Sequence, residues 1–188
     1  MILPSLVLGW EFFFSYSEIA LEIVIRPVEP KDESAIARLW QALSAYHESL
    51  DARLPPAVPG AAERYAARLV ERRDDPFTRA LVAEVNGQVV GYILGAVIDL
   101  HPDLFQHVDA GFIADIYVDP AFRRQGVARQ LVRTMYRWFS KQGVQQVEWQ
   151  VAATNAEGIR FWEAVGGEPI MVRMRASLDG KSLLSNKD

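Results

Sequence analysis

The chain has 188 residues, half of them hydrophobic and 23% charged, which is enough apolar sequence for one domain with a sizeable core. Its formal net charge of −4 disfavours nucleic acid as a partner, because general nucleic-acid binding needs a basic face. The absence of cysteine excludes disulfides, thiolate nucleophiles and cysteine-ligated zinc, and it suits a cytoplasmic location.

The N-terminal segment, residues 1–21, is apolar but lacks the features of a secretory or membrane segment. No Lys or Arg precedes Arg26, so the basic start of a signal peptide is missing. Glu11 and Glu18 interrupt the run of about 20 apolar residues that a spanning helix needs. We therefore expect a packed extension of unknown role, or an overlong gene start, and no membrane anchor.

The first elements of the domain are a strand followed by two helices. Alternating apolar and polar residues predict the strand over 22–28. Apolar residues at three- and four-residue spacing predict a helix over 33–50. The prolines of 54–60 end this helix, because proline cannot continue it, and a more charged helix is predicted over 61–73.

A hairpin, a further strand and a long helix follow. Two β-rich runs flank Asn86-Gly87, which is the strongest short hairpin signal. After a loop, an apolar run predicts a strand over 111–118. An amphipathic helix is predicted to start near Gln125 and to end at about Gly143, the expected C-terminal cap.

The last predicted elements are a strand over 144–154, a short helix over 155–165 and a strand over 169–178. Together the elements indicate an α/β (α+β) domain with a mixed, largely antiparallel central sheet and helices on both faces. The strand–helix–strand unit around the long helix favours one parallel pair. We expect this domain to occupy residues 22–178, with a polar tail over 179–188.

The junction before the long helix is unusual in composition. The stretch DPAFRRQGVARQLV, residues 119–132, places Arg123 and Arg124 beside Gly126 and Ala128. N–H groups at a helix N-terminus have no intrahelical acceptor, and the helix dipole favours an anion there. The junction is thus either a phosphate site, with small residues that admit a ligand to the backbone, or an ordinary basic helix start.

Two segments of the chain resemble the GNAT superfamily of acyl-CoA-dependent N-acetyltransferases. Residues 123–128, RRQGVA, match the Arg/Gln-x-x-Gly-x-Gly/Ala signature of that family, and the preceding DIYVDPAFR resembles its strand and loop. The later TNAEGIRFWEAVGGE, residues 154–168, resembles the family's Asn, aromatic and Gly segment. The resemblance extends over about 22–178 and includes the order of the elements.

The resemblance implies acetyl-CoA as cosubstrate, with its pyrophosphate on the backbone amides of about 124–129. It also implies that the backbone of 116–118 pairs with the pantetheine arm, that the strands 111–118 and 144–154 splay apart, and that the acyl thioester enters between them. The implied cofactor-binding residues are Ile116, Tyr117, Val118, Arg123, Arg124, Gln125, Gly126, Val127, Ala128, Arg129, Asn155 and Phe161.

The resemblance also implies direct attack of an amine on the acetyl thioester, which needs a base, oxyanion donors and an acid for the thiolate. Many family members carry a tyrosine where this chain has Trp162, and an indole cannot deliver the proton. Tyr117 or water would then serve, or the thiolate would leave unprotonated, since a thiol of this type has a pKa near ~8.5.

Two carboxylates on the strands beside the gap are candidate catalytic groups. By alternation, Asp115 and Tyr117 share one face of their strand, opposite Ile116 and Val118. Asp115 would bind the amine or relay its proton through water, or it is a solvated charge at the strand end. Glu148, on the neighbouring strand, has the same two interpretations.

Other polar residues suggest no further chemistry. His101 and His107 lack a third ligand, so no metal site is expected and a surface loop is favoured. Tyr46, His47 and the loop that contains the two histidines are places where acceptor specificity would be set.

The sequence thus indicates an acetyl-CoA-dependent N-acetyltransferase that acts on the primary amine of a small molecule. Protein N-termini or lysines form the second acceptor class. The alternative is a non-catalytic acyl-CoA sensor or interaction module of the same fold, which the missing tyrosine at Trp162 favours. Edge-strand pairing through 169–178 is one route to a homodimer.

Overall fold

The computed structural model describes residues 21–99 and 109–176. The strands are β1 (Ile23–Pro27), β2 (Thr78–Val85), β3 (Gln88–Asp99), β4 (Asp109–Val118) and β5 (Val147–Trp149), and the helices are α1 (Glu33–Leu50), α2 (Ala61–Glu71), α3 (Val127–Lys141) and α4 (Ala156–Glu163). Short 3-10 turns over Pro30–Asp32 and Pro120–Phe122 precede α1 and α3.

The central sheet confirms the predicted fold class. Its order is β1-β2-β3-β4-β5, with antiparallel pairs from β1 to β4 and one parallel pair, β4 with β5. Asn86 and Gly87 form the turn between β2 and β3 with φ of 50° and 77°. Both residues need positive φ in a two-residue type I′ hairpin, which explains the preference for Asn-Gly.

The sheet is covered on both faces, because side chains of successive strand residues point to opposite sides. Leu81, Ala83 and Val85 of β2 pack against α3 and α4, whereas Ala80 and Val82 pack against α1 and α2. The helices contribute long apolar stripes to these two cores. No helix within the described ranges is long and apolar enough to cross a membrane.

A β-bulge shifts the alternation in the middle of β4. Gly95 and Leu94 on β3 lie opposite Ile113 and Asp115, so Ala114 is an extra residue without a partner. Ile113 therefore packs in the core on the α3 side, while Asp115 faces the α2 side. Without the bulge, strict alternation would have put both side chains on the same face.

Two predicted strands at the C-terminal end need correction. The strand predicted over 144–154 is reduced to 147–149, because β4 and β5 separate beyond Ile113 and Trp149 and the ladder ends there. The strand predicted over 169–178 is absent from 169–176, where the chain pairs with no described strand; residues 177 and 178 lie outside the described residues. Its apolar side chains are exposed: Ile170, Met171, Val172 and Met174.

The remaining predicted elements lie close to their expected bounds, and α3 begins at Val127, two residues after Gln125. Residues 1–20 of the predicted extension (1–21), the tail over 179–188 and the loop that holds His101 and His107 lie outside the described residues.

Candidate active site

The turn between β4 and α3 presents a run of free backbone donors. Arg124 has φ +63°, and Gly126, the N-cap of α3, has φ +84°. The first helical bond that leads back to the cap runs from the Gln130 N–H to the Gly126 carbonyl. The N–H groups of 124–129 therefore have no acceptor within the described part of the chain. A Cβ at position 126 would meet no atom within 4 Å, so the space beside these donors is open.

β4 and β5 open into a gap next to this turn. Their parallel pairing covers Gly111 to Ile113, whereas β4 continues to Val118 without β5 beside it. The backbone of 114–118 is therefore an open edge on that side, within the described residues. A polar extended arm could pair with such an edge as an added strand. This opening is the feature called the β4–β5 gap below.

A side-chain hydrogen bond joins α1 to the N-terminus of α4. The Tyr46 hydroxyl donates to Asn155 Oδ1 over 3.2 Å. The same oxygen accepts the N–H of Gly158 over 2.8 Å and so caps α4. Both lone pairs of Asn155 Oδ1 are thus used, whereas its amide group remains a donor for a ligand.

Arg123 braces the gap instead of pointing to the free amides. Its Nε donates to the Val118 carbonyl over 3.2 Å. Its guanidinium lies 5.5 Å from the ring centres of both Tyr46 and Tyr117. Glu157 lies 4.0 Å away. The side chain therefore joins β4, α1 and α4, and its contribution to an anion site would be indirect.

The other residues predicted around the cofactor divide between the surface and the core. Arg124, Gln125 and Arg129 are exposed, and the Gln125 amide donates to the Ala121 carbonyl over 3.2 Å. The rest pack on the α3 side of the sheet: Ile116, Val118, Val127, Ala128 and Phe161.

Trp162 belongs to that same core. It stacks on Trp149 at 4.3 Å between ring centres and meets Phe161 edge-on at 5.1 Å. Only 7% of Trp162 is exposed. Its indole therefore serves packing, and α4 brings no phenolic hydroxyl to the gap from this position.

Asp115 lies on the opposite face, as alternation with Tyr117 predicts. Its carboxylate Oδ2 accepts a 2.6 Å hydrogen bond from the hydroxyl of Tyr65 on α2. Burial raises the pKa of Asp115, and the Tyr65 hydrogen bond opposes that rise. A carboxylate with a raised pKa in an open-sided site can exchange a proton with an amine.

Glu148 is the less favoured of the two carboxylates. It lies opposite Phe112 in the paired part of β4 and β5, before the strands separate. It is partly buried on the same face of the sheet as Asp115. The structure thus brings Asp115, Tyr117 and Asn155 to the gap and leaves Glu148 at its closed end.

Sequence reasoning missed Tyr65 and Tyr92, which surround Asp115. Tyr65 occurs at helical spacing with Ala62 and Ala66 on the buried face of α2, a pattern typical of core residues. Its contact with Asp115 joins residues 50 positions apart. The only available signal was the hydroxyl itself, because a buried tyrosine needs a polar partner.

Comparison with known proteins identifies the family of this chain. A model of the acetyltransferase (GNAT) family matches residues 37–166. The D-amino-acid N-acetyltransferase HPA3 of Saccharomyces cerevisiae is 28% identical over 128 residues, which cover 68% of this chain and 73% of the relative. An uncharacterized N-acetyltransferase of Methanocaldococcus jannaschii, MJ1207, is 31% identical over 105 residues, covering 55% of this chain and 44% of that protein.

Solved structures share the fold at low sequence identity. A tetramutant of the BH1408 protein from Bacillus halodurans has a TM-score of 0.73 at 18% identity, covering 82% of this chain and 99% of the other. The aminoglycoside N-acetyltransferase AAC(6′)-Iy, in complex with CoA, has a TM-score of 0.58 at 19% identity, covering 83% and 97%.

Proposed function

This chain belongs to the GNAT acetyltransferase family and is an N-acetyltransferase, and on that premise we propose that it moves an acetyl group from acetyl-CoA to the primary amine of a small molecule. The family model covers more than two thirds of the chain, from α1 to the end of α4. The identity of donor and acceptor is our inference from the site.

The observation that carries the donor assignment is the run of free N–H groups over 124–129. Six consecutive donors at the positive end of α3 match a pyrophosphate, whose charge and many acceptor oxygens need several partners. The open edge of β4 suits the amide groups of a pantetheine arm. A structure with the same fold holds CoA, which supports this cosubstrate. Acetyl-CoA would supply an activated thioester, and the remaining chemistry is that of the chain.

For the acceptor, a small amine suits both the relatives and the site. One relative is named for D-amino acids, and one structural neighbour is an aminoglycoside acetyltransferase. Asp115 lies beside the gap on the face that α1 and α2 cover. In our proposal its carboxylate takes one proton from the ammonium, directly or through water. The neutral nitrogen then forms the N–C bond as the C–S bond breaks, and the nitrogen loses a second proton as the amide forms, which balances the proton that the departing thiolate takes up.

The departing thiolate needs one proton, and Trp162 cannot supply it. The Tyr46 hydroxyl is held at Asn155, across the gap from β4. Tyr117, on β4, has its ring centre 5.5 Å from the Arg123 guanidinium, which also contacts the Tyr46 ring. We assign the proton to one of these hydroxyls or to water. Water is sufficient, because a thiol with a pKa of about 8.5 is a tolerable leaving group without a protein acid.

Calorimetry with CoA and acetyl-CoA, followed by a free-thiol release assay over a panel of amines, tests the proposal. We expect micromolar binding and thiol release that depends on the amine. No binding at high micromolar concentration would refute the donor assignment. Binding without release from any amine would favour the acyl-CoA sensor, and release with peptides alone would favour protein N-termini or lysines as acceptors.

A homodimer through the C-terminal segment remains a proposal. Four apolar side chains of 170–174 are exposed, and the segment is attached to the rest of the chain by a 2.7 Å bond from Arg175 to the Arg53 carbonyl. Analytical ultracentrifugation of the wild-type protein and of Met171→Lys shows whether the protein is a dimer and whether this segment forms the interface. We expect the charged side chain to dissociate a dimer, and a monomeric wild type would contradict this route.

A further inference from the structure

Two carboxylates, the buried Asp32 and the partly buried Asp115, differ in how fully they are hydrogen-bonded. Asp32 accepts bonds of 2.6 and 2.9 Å from the Arg26 guanidinium and of 2.9 Å from the Glu29 N–H. Asp115 accepts one bond, to Oδ2, and its Oδ1 has no partner among the described residues. A buried carboxylate with a structural role is ordinarily paired or saturated with donors, as Asp32 is. Asp115 Oδ1 has no such donor and is not a buried atom, so it is accessible to solvent or to a ligand.

The surroundings of Asp115 hold its one donor firmly in place. The Tyr65 ring stacks on Trp40 at 5.2 Å between ring centres and meets the Tyr92 ring edge-on at 6.1 Å. Tyr92 is 1% exposed. Aromatic packing on two sides fixes the direction in which the Tyr65 hydroxyl points. The orientation of the Asp115 carboxylate is therefore set by α2, 50 residues earlier in the chain.

The charges that act on Asp115 come from few groups. Tyr65 from α2 and Tyr92 from β3 are the titratable side chains that face it, and Tyr117 follows it on β4. Tyr92 is near enough to interact with both Tyr65 and Asp115, although its hydroxyl makes no hydrogen bond of acceptable geometry in the described part of the chain. Glu148 on β5 shares this face at the closed end of the gap.

No cation forms an ion pair with Asp115 among the described residues. The carboxylate consequently has a vacant acceptor for one positively charged donor. A primary ammonium carries the charge and the N–H groups that such an acceptor needs.

We propose that Tyr65 is a positioning residue, which occupies Oδ2 of Asp115 so that Oδ1 faces the ammonium of the acceptor. This inference rests on the proposed function and adds to it the group that orients the base. One N–H proton of the ammonium passes to Oδ1, the amine keeps its electron pair for attack, and the acid formed at Asp115 returns the proton to solvent. The Tyr65 hydroxyl keeps its own proton throughout, because burial next to Asp115 raises the pKa of Tyr65 far above neutrality.

The variant Tyr65→Phe tests the inference, since it keeps the ring that stacks on Trp40 and removes only the hydroxyl. The lost hydrogen bond had stabilised the charged form, so the pKa of Asp115 should rise and the acidic limb of the rate profile should move to higher pH. We expect the ratio of wild-type to variant kcat/KM to increase as the pH falls along the acidic limb, and to become about tenfold larger below that limb than on the alkaline plateau. Tyr136→Phe is the matched control, because Tyr136 is a partly buried tyrosine of α3, on the other side of the sheet.

A second measurement needs no activity. The carbon-13 NMR titration of the Asp115 carboxyl in the free protein should show a higher midpoint in Tyr65→Phe and an unchanged one in Tyr136→Phe. Asp115→Asn, which still accepts from Tyr65 but cannot take a proton, should lose at least about 100-fold in kcat/KM together with the acidic limb. CoA affinity should stay within about twofold of wild type in Tyr65→Phe and Tyr136→Phe, because neither residue belongs to 124–129 or to the open edge of β4.

The outcomes separate this inference from the proposed function. Absence of CoA binding and of turnover in the wild-type protein would overturn both. Binding and turnover with an unmoved carboxyl midpoint in Tyr65→Phe, or with a rate loss that does not vary with pH, would overturn the positioning role alone. If Tyr65→Phe does not fold, retention of the acidic limb in Asp115→Asn decides against it.

Discussion

Replacing Gly158 with alanine should destabilise this protein, although the residue lies in a helix, where alanine is ordinarily the better choice. A Cβ at position 158 would lie 2.5 Å from Asn155 Nδ2 and 2.8 Å from Asn155 Cγ. Both distances are well inside van der Waals contact, so the Asn155 side chain has to rotate away. That rotation breaks two hydrogen bonds at once, the N-cap of α4 and the bridge from Tyr46.

The sizes of three effects decide whether Gly158→Ala stabilises or destabilises the protein. Alanine in place of glycine in a helix adds about 1 kcal/mol to the free energy of unfolding. Loss of an N-cap side-chain bond costs about 1 kcal/mol, and loss of the Tyr46 bond costs about 1 kcal/mol more. The net effect of Gly158→Ala is therefore a loss of about 1 kcal/mol in the free energy of unfolding, or a fall of about 2–4 °C in Tm for a chain of this size.

A double-mutant cycle isolates this clash. In an Asn155→Ala background the obstructing side chain is gone, so Gly158→Ala should now stabilise by about 1 kcal/mol, and the coupling between the sites is about 2 kcal/mol. Urea denaturation of the four proteins measures it. Equal stabilisation by Gly158→Ala in both backgrounds would refute the reasoning, because Asn155 would then not hold the α4 cap and the Tyr46 bridge together.

Two further perturbations test the anion site and the ion pair near β1. Gly126→Glu places a carboxylate beside the free amides and should weaken CoA binding by at least about tenfold in calorimetry. Replacement of the exposed Arg133 by alanine should leave CoA binding nearly unchanged. Equal losses in the two variants would show that side-chain charge, and not the backbone amides, holds the ligand. Arg26→Met should lower the free energy of unfolding by about 3 kcal/mol in urea titrations, because it leaves the Asp32 carboxylate buried and unpaired. Burial acts to raise the pKa of Asp32, but the hydrogen bonds from Arg26 and the Glu29 N–H outweigh it and lower the pKa below 3.8. The difference in unfolding free energy between wild type and Arg26→Met should therefore persist at neutral pH and narrow as the pH falls below that value. A difference that does not vary with pH would contradict this role of Arg26.

The parts of the fold that local chemistry determines were predictable. Asn86-Gly87 specifies its turn through backbone conformations that few other residues adopt. Helix α1 has both predicted ends, because its apolar stripe and the prolines that follow it are local signals. The β4–α3 turn was likewise visible in the sequence, since small residues and a glycine just before an amphipathic helix favour an open N-terminus.

The features that depend on tertiary contacts were not predictable. The alternating residues of 169–176 have the pattern of a strand, but a strand also needs a partner edge, and sequence alternation says nothing about one. The bulge at Ala114 arises from register with β3, and the pairing of Tyr65 with Asp115 arises from the packing of α2 on the sheet. Both depend on residues far away in the chain. The sequence therefore predicted that Asp115 shares a face with Tyr117, but it predicted neither the bulge before Asp115 nor the partner of its carboxylate.

The extra residue at Ala114 also affects how this chain is to be compared with others. It reverses the alternation of β4. Odd-numbered residues before Ala114 point to the α3 side of the sheet, whereas odd-numbered residues after it point to the α2 side. If an alignment misplaces a one-residue gap at this point, residues that face the core in one protein are matched with residues that face the active site in the other. Relatives of this protein are therefore best aligned from the bulge outwards, with Asp115 as the first position after it, before any carboxylate is judged equivalent.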